Sequence, residues 1–330
     1  MPEKKAVEIK ALSKDFNSLK AVNAISFDIN EQEIFGLLGP NGAGKTTTIS
    51  MLCTILQPSS GTAKLFGHDV KDEPNEVRQN IGLVFQDPSL DEELTAEENL
   101  EFHARLYNVP PDAEAKRIDE MLELVGLSDK KKHIVKTFSG GMKRRLEIAR
   151  GLLHNPKVLF LDEPTLGLDP QTRSHIWEHI RKLNKTEKVT IVLTTHYLEE
   201  ADQLCDRVAI IDHGEIKAIG KPEDLKSALG GDIIAFETKS PERIEKKLAK
   251  LKFVKKTMRH DGYLTAHVDN ADKNLFPLMK SICNEKIGSM TVRKPSLEDV
   301  FLKHTGRTIR EAESGTGEHL HALVHRRLSR

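Results

Sequence analysis

The chain is poor in the features that mark secreted, metal-scaffolded or membrane-spanning proteins. It has three cysteines, Cys53, Cys205 and Cys283, far apart and in no Cys-x-x-Cys pair. That argues against a disulfide framework or a cysteine-built zinc site, fits a reducing compartment, and reads the cysteines as small buried hydrophobes. No apolar run approaches the ~18 residues of a membrane span. The longest, 158–161 and 208–211, are short enough to be buried strands. The charged start, Met1-Pro2-Glu3-Lys4-Lys5, is followed by no apolar stretch, so it is not a signal peptide. A soluble chain is expected, with any membrane role coming through a partner. Net charge is also missing: 50 Lys and Arg balance 50 Asp and Glu, which gives no electrostatic case for a nucleic-acid partner.

The 330 residues suggest two domains. Alternation over 7–12 and 24–29 predicts an antiparallel pair of strands. Residues 33–38 then form a strand that runs into a glycine-rich loop, and 45–56 has helical character up to the turn Pro58-Ser59-Ser60-Gly61. A strand over 81–86 precedes a charged helical stretch, 95–132, broken at Pro110-Pro111 and read as an inserted helical subdomain. Ser139 is a fitting N-cap for a helix to about 153. Strands at 158–162, 189–194 and 207–212 alternate with helices and predict a mostly parallel sheet covered on both faces. His213-Gly214 then turns the last of these into a hairpin with 215–219.

Gly230-Gly231 divides the chain into a first domain, 1–229, and a small α+β domain, 230–310, with helices near 241–251 and 273–285. The polar, glycine-bearing 311–330 predicts a disordered tail. Its His319, His321 and His325 lack supporting carboxylates or cysteines and do not argue for a metal.

The loop Gly39-Pro40-Asn41-Gly42-Ala43-Gly44-Lys45-Thr46 matches G-x-x-x-x-G-K-[ST] in full, between strand and helix, as phosphate binding requires. Glycines let backbone N–H groups face phosphate oxygens, and the following helix adds its positive end. Lys45 is suited to the β and γ phosphates of ATP and the Thr46 hydroxyl to Mg²⁺, with Thr47 beside it in the nucleotide site. Val158-Leu159-Phe160-Leu161 delivers Asp162 and Glu163 to the C-terminal end of a central strand, where ligands of such sheets bind. Asp162 is placed to hold Mg²⁺ through water and Glu163 to polarise the attacking water. An Asp-Glu pair at a strand end is a weak signal alone and a strong one beside the loop.

With Phe138-Ser139-Gly140-Gly141-Met142 added, the sequence resembles the ATP-binding cassette (ABC) ATPases, whose signature is usually read Leu-Ser-Gly-Gly-Gln. Phe138 and Met142 depart from it. Ser139, Gly140 and Gly141 remain, and a hydroxyl with open N–H groups at a helix start can bind a γ-phosphate. The resemblance implies a P-loop NTPase cassette of class α/β: a mostly parallel core sheet, an antiparallel β subdomain and an inserted helical subdomain, followed here by the small C-terminal domain. It also implies that Gln86 senses Mg²⁺ and the attacking water and faces the membrane partner. His196 contacts the γ-phosphate, Leu166-Gly167-Leu168-Asp169 crosses a dimer interface, and Phe16 stacks on adenine or is simply core. Lys45, Glu163 and His196 are then the catalytic set, and Thr46, Gln86 and Asp162 the metal set.

In the family two cassettes pair head to tail, so the resemblance implies a homodimer, or pairing with a second cassette, with ATP at the interface. Residues 295–301 (Pro-Ser-Leu-Glu-Asp-Val-Phe) and Thr305-Gly306-Arg307 resemble the ending of the daunorubicin-resistance-like exporter ATPases. There the permease is a separate membrane polypeptide and the ATPase sits on the cytoplasmic side of the membrane. A soluble non-transport ABC ATPase is the alternative. The long coiled coils and second cassette of such proteins are lacking here. Lys143-Arg144-Arg145 reads as a solvated helix face or dimer surface rather than a nucleic-acid patch.

Overall fold

The computed structural model describes residues 4–17, 19–87, 89–260 and 263–309. They fall into two compact units, one formed by the residues up to Ile219 together with Ile309 and one spanning Gly220–Thr308. The expected tail, 311–330, and its histidines lie outside the described residues.

In chain order the first unit contains β1 (Lys5–Phe16), β2 (Leu19–Asn30), β3 (Ile34–Leu38), α1 (Lys45–Leu52), β4 (Ser60–Leu65), β5 (His68–Asp69), α2 (Pro74–Gln79) and β6 (Ile81–Val84). The helices α3 (Ala96–Leu106), α4 (Pro111–Leu124) and α5 (Gly140–Leu152) follow. Then come β7 (Val158–Asp162), α6 (Pro170–Glu187), β8 (Thr190–Thr195), α7 (Leu198–Leu204), β9 (Arg207–Asp212) and β10 (Glu215–Gly220).

Two sheets share one core. The six-stranded sheet has the order β10-β9-β3-β8-β7-β6, and its pairs β9–β3, β3–β8, β8–β7 and β7–β6 are parallel. Every residue of β3, β7 and β8 is buried, which is why β3 and most of β7 read as apolar runs rather than alternating ones. The other sheet, β2-β1-β4-β5, is antiparallel where β1 meets β2 and β4. Val7, Ile9 and Ala63 of that sheet join Phe35, Phe160 and Ala209 of the parallel sheet, with Met51 and Leu52 of α1, in one hydrophobic cluster. The phosphate loop therefore leaves β3 from a strand fixed on both edges and both faces.

Local chemistry sets the boundaries. Thr95 begins α3 with a capping box: its hydroxyl accepts the Glu98 N–H at 3.2 Å and Glu98 returns to the Thr95 N–H at 2.8 Å. α1 stops at Leu52, short of the expected 56, because Thr54 takes a left-handed φ of 61°. Its hydroxyl accepts from Arg78 Nε at 2.7 Å. β6 ends at Val84, so Phe85 and Gln86 lie in the exposed segment beyond the strand. Cys53 and Cys205 are buried as expected, whereas Cys283 is exposed; all three are free thiols.

The second unit contains α8 (Pro222–Ser227), β11 (Asp232–Thr238), α9 (Pro241–Leu248), β12 (Val254–His260), β13 (Tyr263–Val268), α10 (Ala271–Ile282), β14 (Ile287–Arg293) and α11 (Leu297–Thr305). Its sheet, β12-β13-β11-β14, is antiparallel throughout. Phe236, Leu264 and Ala266 of the sheet pack with Ile244, Leu248, Leu278 and Ile282 of α9 and α10 in a separate core. The unit begins before Gly230-Gly231 because α8 packs on α11. No helix among the described residues is long and apolar enough to cross a membrane.

Candidate nucleotide site

The phosphate loop folds as its glycines dictate. Gly44, the N-cap of α1, has φ 105°, and a Cβ there would sit 2.5 Å from the Ala21 carbonyl. No side chain fits that backbone or that space. The loop and its surroundings line a cleft of about 660 Å³ that gathers Phe16, Pro40, Asn41, Gly42, Gly44, Lys45, Thr46, Thr47, Gln86, Glu163, Leu166 and His196. Gly39 and Ala43 are buried behind it.

The charged groups of the cleft are nearly all partnered. Lys45, 5% exposed, donates to the carbonyls of Gly39 (2.8 Å) and Pro40 (3.2 Å) and lies 3.2 Å from Glu163 Oε1. Asp162 Oδ1 accepts from Thr194 Oγ1 and, at 3.3 Å, from Thr46 Oγ1. His196 Nδ1 stands 3.1 Å from Glu163 Oε2. Burial works against ionisation of Glu163, but the His196 ring and the Lys45 ammonium outweigh it and hold the carboxyl below the ordinary glutamate range. Glu163 is thus an ionised acceptor at neutral pH. Its backbone is strained, with φ 47°, and its N–H is fixed by the Thr194 carbonyl (3.2 Å) and hydroxyl (3.0 Å).

Phe16 closes β1 at the rim of the cleft, 42% exposed, with Lys14 Nζ 5.2 Å from its ring centroid. It is therefore not core. Gln86 is exposed in the same cleft.

Ser139, Gly140 and Gly141 lie elsewhere. Ser139 caps α5, accepting the Met142 N–H at 3.3 Å. Ser139 and Gly141 line a second cleft of about 290 Å³ with Arg145, Thr172, His175 and His179. A Cβ on Gly141 would stand 2.5 Å from Thr172 Cγ2 of α6, so α5 and α6 meet at this glycine. Among the described residues none lines both clefts.

Two participants escaped the sequence reading. Thr194 bonds both Asp162 and the Glu163 backbone, and only its place in Thr194-Thr195-His196 hinted at this. Arg144 is not on a solvated face: it is 7% exposed and donates to the carbonyls of Asp162 and Pro164, which flank Glu163.

Residues 22–166 match the ABC transporter family, and residues 220–305 match the C-terminal domain of ATP-binding proteins like DrrA1-3. The chain is 40% identical to the daunorubicin/doxorubicin resistance ATP-binding protein DrrA of Streptomyces peucetius, over 92% of this chain and 93% of that one. This chain belongs to the ABC transporter ATP-binding proteins. The cassette is also 41% identical to the linearmycin resistance ATP-binding protein LnrL of Bacillus subtilis, over 92% of this chain and all of the relative. Among solved structures, cbiO1 of Clostridium perfringens, part of the ABC transporter complex cbiONQ, superposes with a TM-score of 0.65 at 29% identity, covering 76% of this chain and 96% of that one. A dimeric ATP-binding cassette in a post-hydrolysis state with ADP and Pi gives 0.59 at 28% identity, covering 65% and 98%. Family and fold together make the cassette an ATPase, the ATP-binding and ATP-hydrolysing subunit of an ABC transporter.

Proposed function

We propose that this cassette drives a two-component exporter, in which a separate membrane permease moves an antibiotic-like cargo and the cassette supplies closure and hydrolysis. Relatives named for daunorubicin and linearmycin resistance and for Nod factor export support the direction and the cargo class. The first unit carries the nucleotide chemistry, the second is accessory, and the complex sits at the cytoplasmic face of the membrane.

The separation of the two clefts is the observation that carries this reading. Lys45, Glu163 and His196 line one and Ser139 the other. A nucleotide that needs both must lie between two chains, each lending Ser139, Gly140 and Gly141 to its partner's loop. Within the loop's cleft, N–H groups and Lys45 hold the phosphates, and Phe16 offers a ring to the base. Glu163, ionised and aimed by Lys45 and His196, accepts hydrogen bonding from the attacking water. The Thr46 hydroxyl and the oriented Asp162 carboxylate, 3.3 Å apart, fit Mg²⁺, with Gln86 as a further ligand. One carboxylate, one hydroxyl and the phosphate oxygens are the hard oxygen donors that Mg²⁺ takes. Bound there, Mg²⁺ would neutralise charge on the phosphate oxygens.

Permease docking fits a groove of about 690 Å³ beside Gln86, lined by Ile55, Leu83, Phe85 and Tyr107. Ile55, Phe85 and Tyr107 are 52%, 44% and 45% exposed, an apolar surface suited to a helix from a partner. The deciding experiment is Glu163→Gln. Phosphate release should fall by about a thousandfold while ADP affinity stays within a few-fold, and the variant should accumulate as a dimer with ATP. Near-normal phosphate release would remove Glu163 from its role.

A further inference from the structure

The buried polar face of α5 joins two segments that are far apart in sequence, the one carrying Gln86 and the one carrying Glu163. Arg144 donates from Nε to the Pro164 carbonyl (2.9 Å), from Nη2 to the Asp162 carbonyl (2.8 Å) and from Nη1 to the Phe85 carbonyl (2.5 Å). Nη1 also reaches Glu147 Oε2 at 3.1 Å. The two flanking carbonyls of Glu163 and the one preceding Gln86 thus converge on a single planar cation. One helical turn on, Glu147 Oε1 accepts the Ser89 N–H (2.8 Å), and Arg150 donates to the Ser89 carbonyl (2.7 Å) and hydroxyl (2.6 Å). Arg144, Glu147 and Arg150 are all buried. The segment carrying Gln86 is therefore held at Phe85 and again at Ser89, by the same helix that holds the peptides around Glu163.

We infer that Arg144 is a positioning residue that locks the Gln86 segment and the Glu163 segment into one body, with Glu147 and Arg150 extending the lock to Ser89. The inference rests on the roles proposed above for Gln86 and Glu163. Burying a cation is costly unless its donors are used, and here the guanidinium spends them on carbonyls of two separate segments and on Glu147. A lysine could not replace it, because a point ammonium cannot span carbonyls that lie on different sides of a planar fork. The strained backbone of Glu163 explains what the lock achieves: a left-handed residue keeps its side-chain direction only while its flanking peptides are held. A displacement of residues 85–89 at the docking groove then reaches Glu163 through Arg144. The coupling is reciprocal, so the state of the site around Glu163 alters the groove.

The test uses the purified full chain carrying Arg144→Lys, which keeps the charge beside Glu147 and removes the fork. ATP turnover, ADP affinity by calorimetry and amide hydrogen exchange are read together. The expected result is a fall in kcat of about tenfold or more, with ADP affinity within about twofold because the phosphate loop does not touch Arg144. Exchange should rise together over 83–87 and 160–166. Added to Glu163→Gln, the substitution should cause a smaller fold-loss of turnover than it does in the natural chain. Exchange rising in only one segment, ADP affinity falling in step with turnover, or losses that multiply in the double variant would overturn the inference. Should Arg144→Lys not fold, Arg150→Lys is read the same way: exchange must rise at 162–164 as well as at 85–89, and a rise at 85–89 alone overturns the lock. Full turnover by Glu163→Gln alone would refute the proposed function, and the exchange pattern would still decide whether the two segments move as one.

Discussion

The two clefts of the cassette are built on opposite principles. The one around the phosphate loop is dense with buried charge: Lys45 and His196 both stand about 3 Å from Glu163, while the hydroxyls of Thr46 and Thr194 hold Asp162. The one around Ser139 is a helix start with a serine cap, a glycine seam, an exposed His175 and a half-buried His179. One holds its geometry by internal pairing, while the other presents donors to something outside its own chain. Preorganised charge pays off where a bond is broken, because the groups need not reorganise during the reaction. A clamp that must open and close is better served by a sparse surface, where contact depends on a partner's arrival.

Substitutions that touch only one cleft separate these principles, and among effects on binding and stability the largest is expected at the signature. Ser139→Arg places bulk and charge at the helix start, and ATP-dependent dimer formation by light scattering or gel filtration should fall about a hundredfold or more, roughly 3 kcal/mol. ADP affinity of the single chain should stay within twofold, since Ser139 does not line the loop's cleft. Normal dimers would sink the head-to-tail arrangement.

Lys45→Met breaks the other cleft. It leaves Glu163 buried beside His196 without its cation, and removing one partner of a buried pair costs about 3 kcal/mol. The pH dependence carries the sign. In the natural chain the Glu163 pKa lies below the ordinary value, so its contribution to stability is present above the unfolded glutamate pKa and is lost as pH falls through the folded one. Without Lys45, His196 alone opposes burial, so that pKa rises, and protonation relieves part of the penalty. The gap in thermal midpoint between natural chain and variant should therefore be widest near pH 7 and close toward pH 4. A gap independent of pH would show that the pair contributes no linked charge. The smallest effect belongs to the rim: Phe16→Ala should raise the KM for ATP about threefold, near 0.7 kcal/mol, as for one lost aromatic stacking contact, with kcat unchanged.

Much of this was legible in the residues because local constraints wrote it there. The loop from Gly39 to Thr46 and the strand ending in Asp162 and Glu163 are contiguous, and each demands a short run of particular residue types. Thr95-Glu98 shows the same at a helix start, and Ser296-Asp299, a second capping box, marked α11 in a stretch that carried no helix in the sequence reading. What stayed hidden depends on contacts distant in sequence. Arg144 falls on the same face as Gly141 and Ile148, which are buried, so the helical period did point inward. Charge was taken to mean exposure, and carbonyls from Phe85, Asp162 and Pro164 overrode that rule. The end of α1 was missed for a similar reason, since nothing near Thr54 in sequence announces its bond from Arg78.

The close approach at Gly141 bears on how suppressor genetics of the cassette should be interpreted. A bulkier residue there collides first with the methyl of Thr172 on the neighbouring helix of the same chain. The hydroxyl of Thr172 is committed to Asp169, which begins the helix after Leu166-Gly167-Leu168. A defect at this signature position can thus arise as a steric fault passed along a single polypeptide, before any partner or nucleotide is involved. Compensation would be sought at position 172, where serine deletes the offending methyl and keeps the hydroxyl, rather than on the opposing subunit.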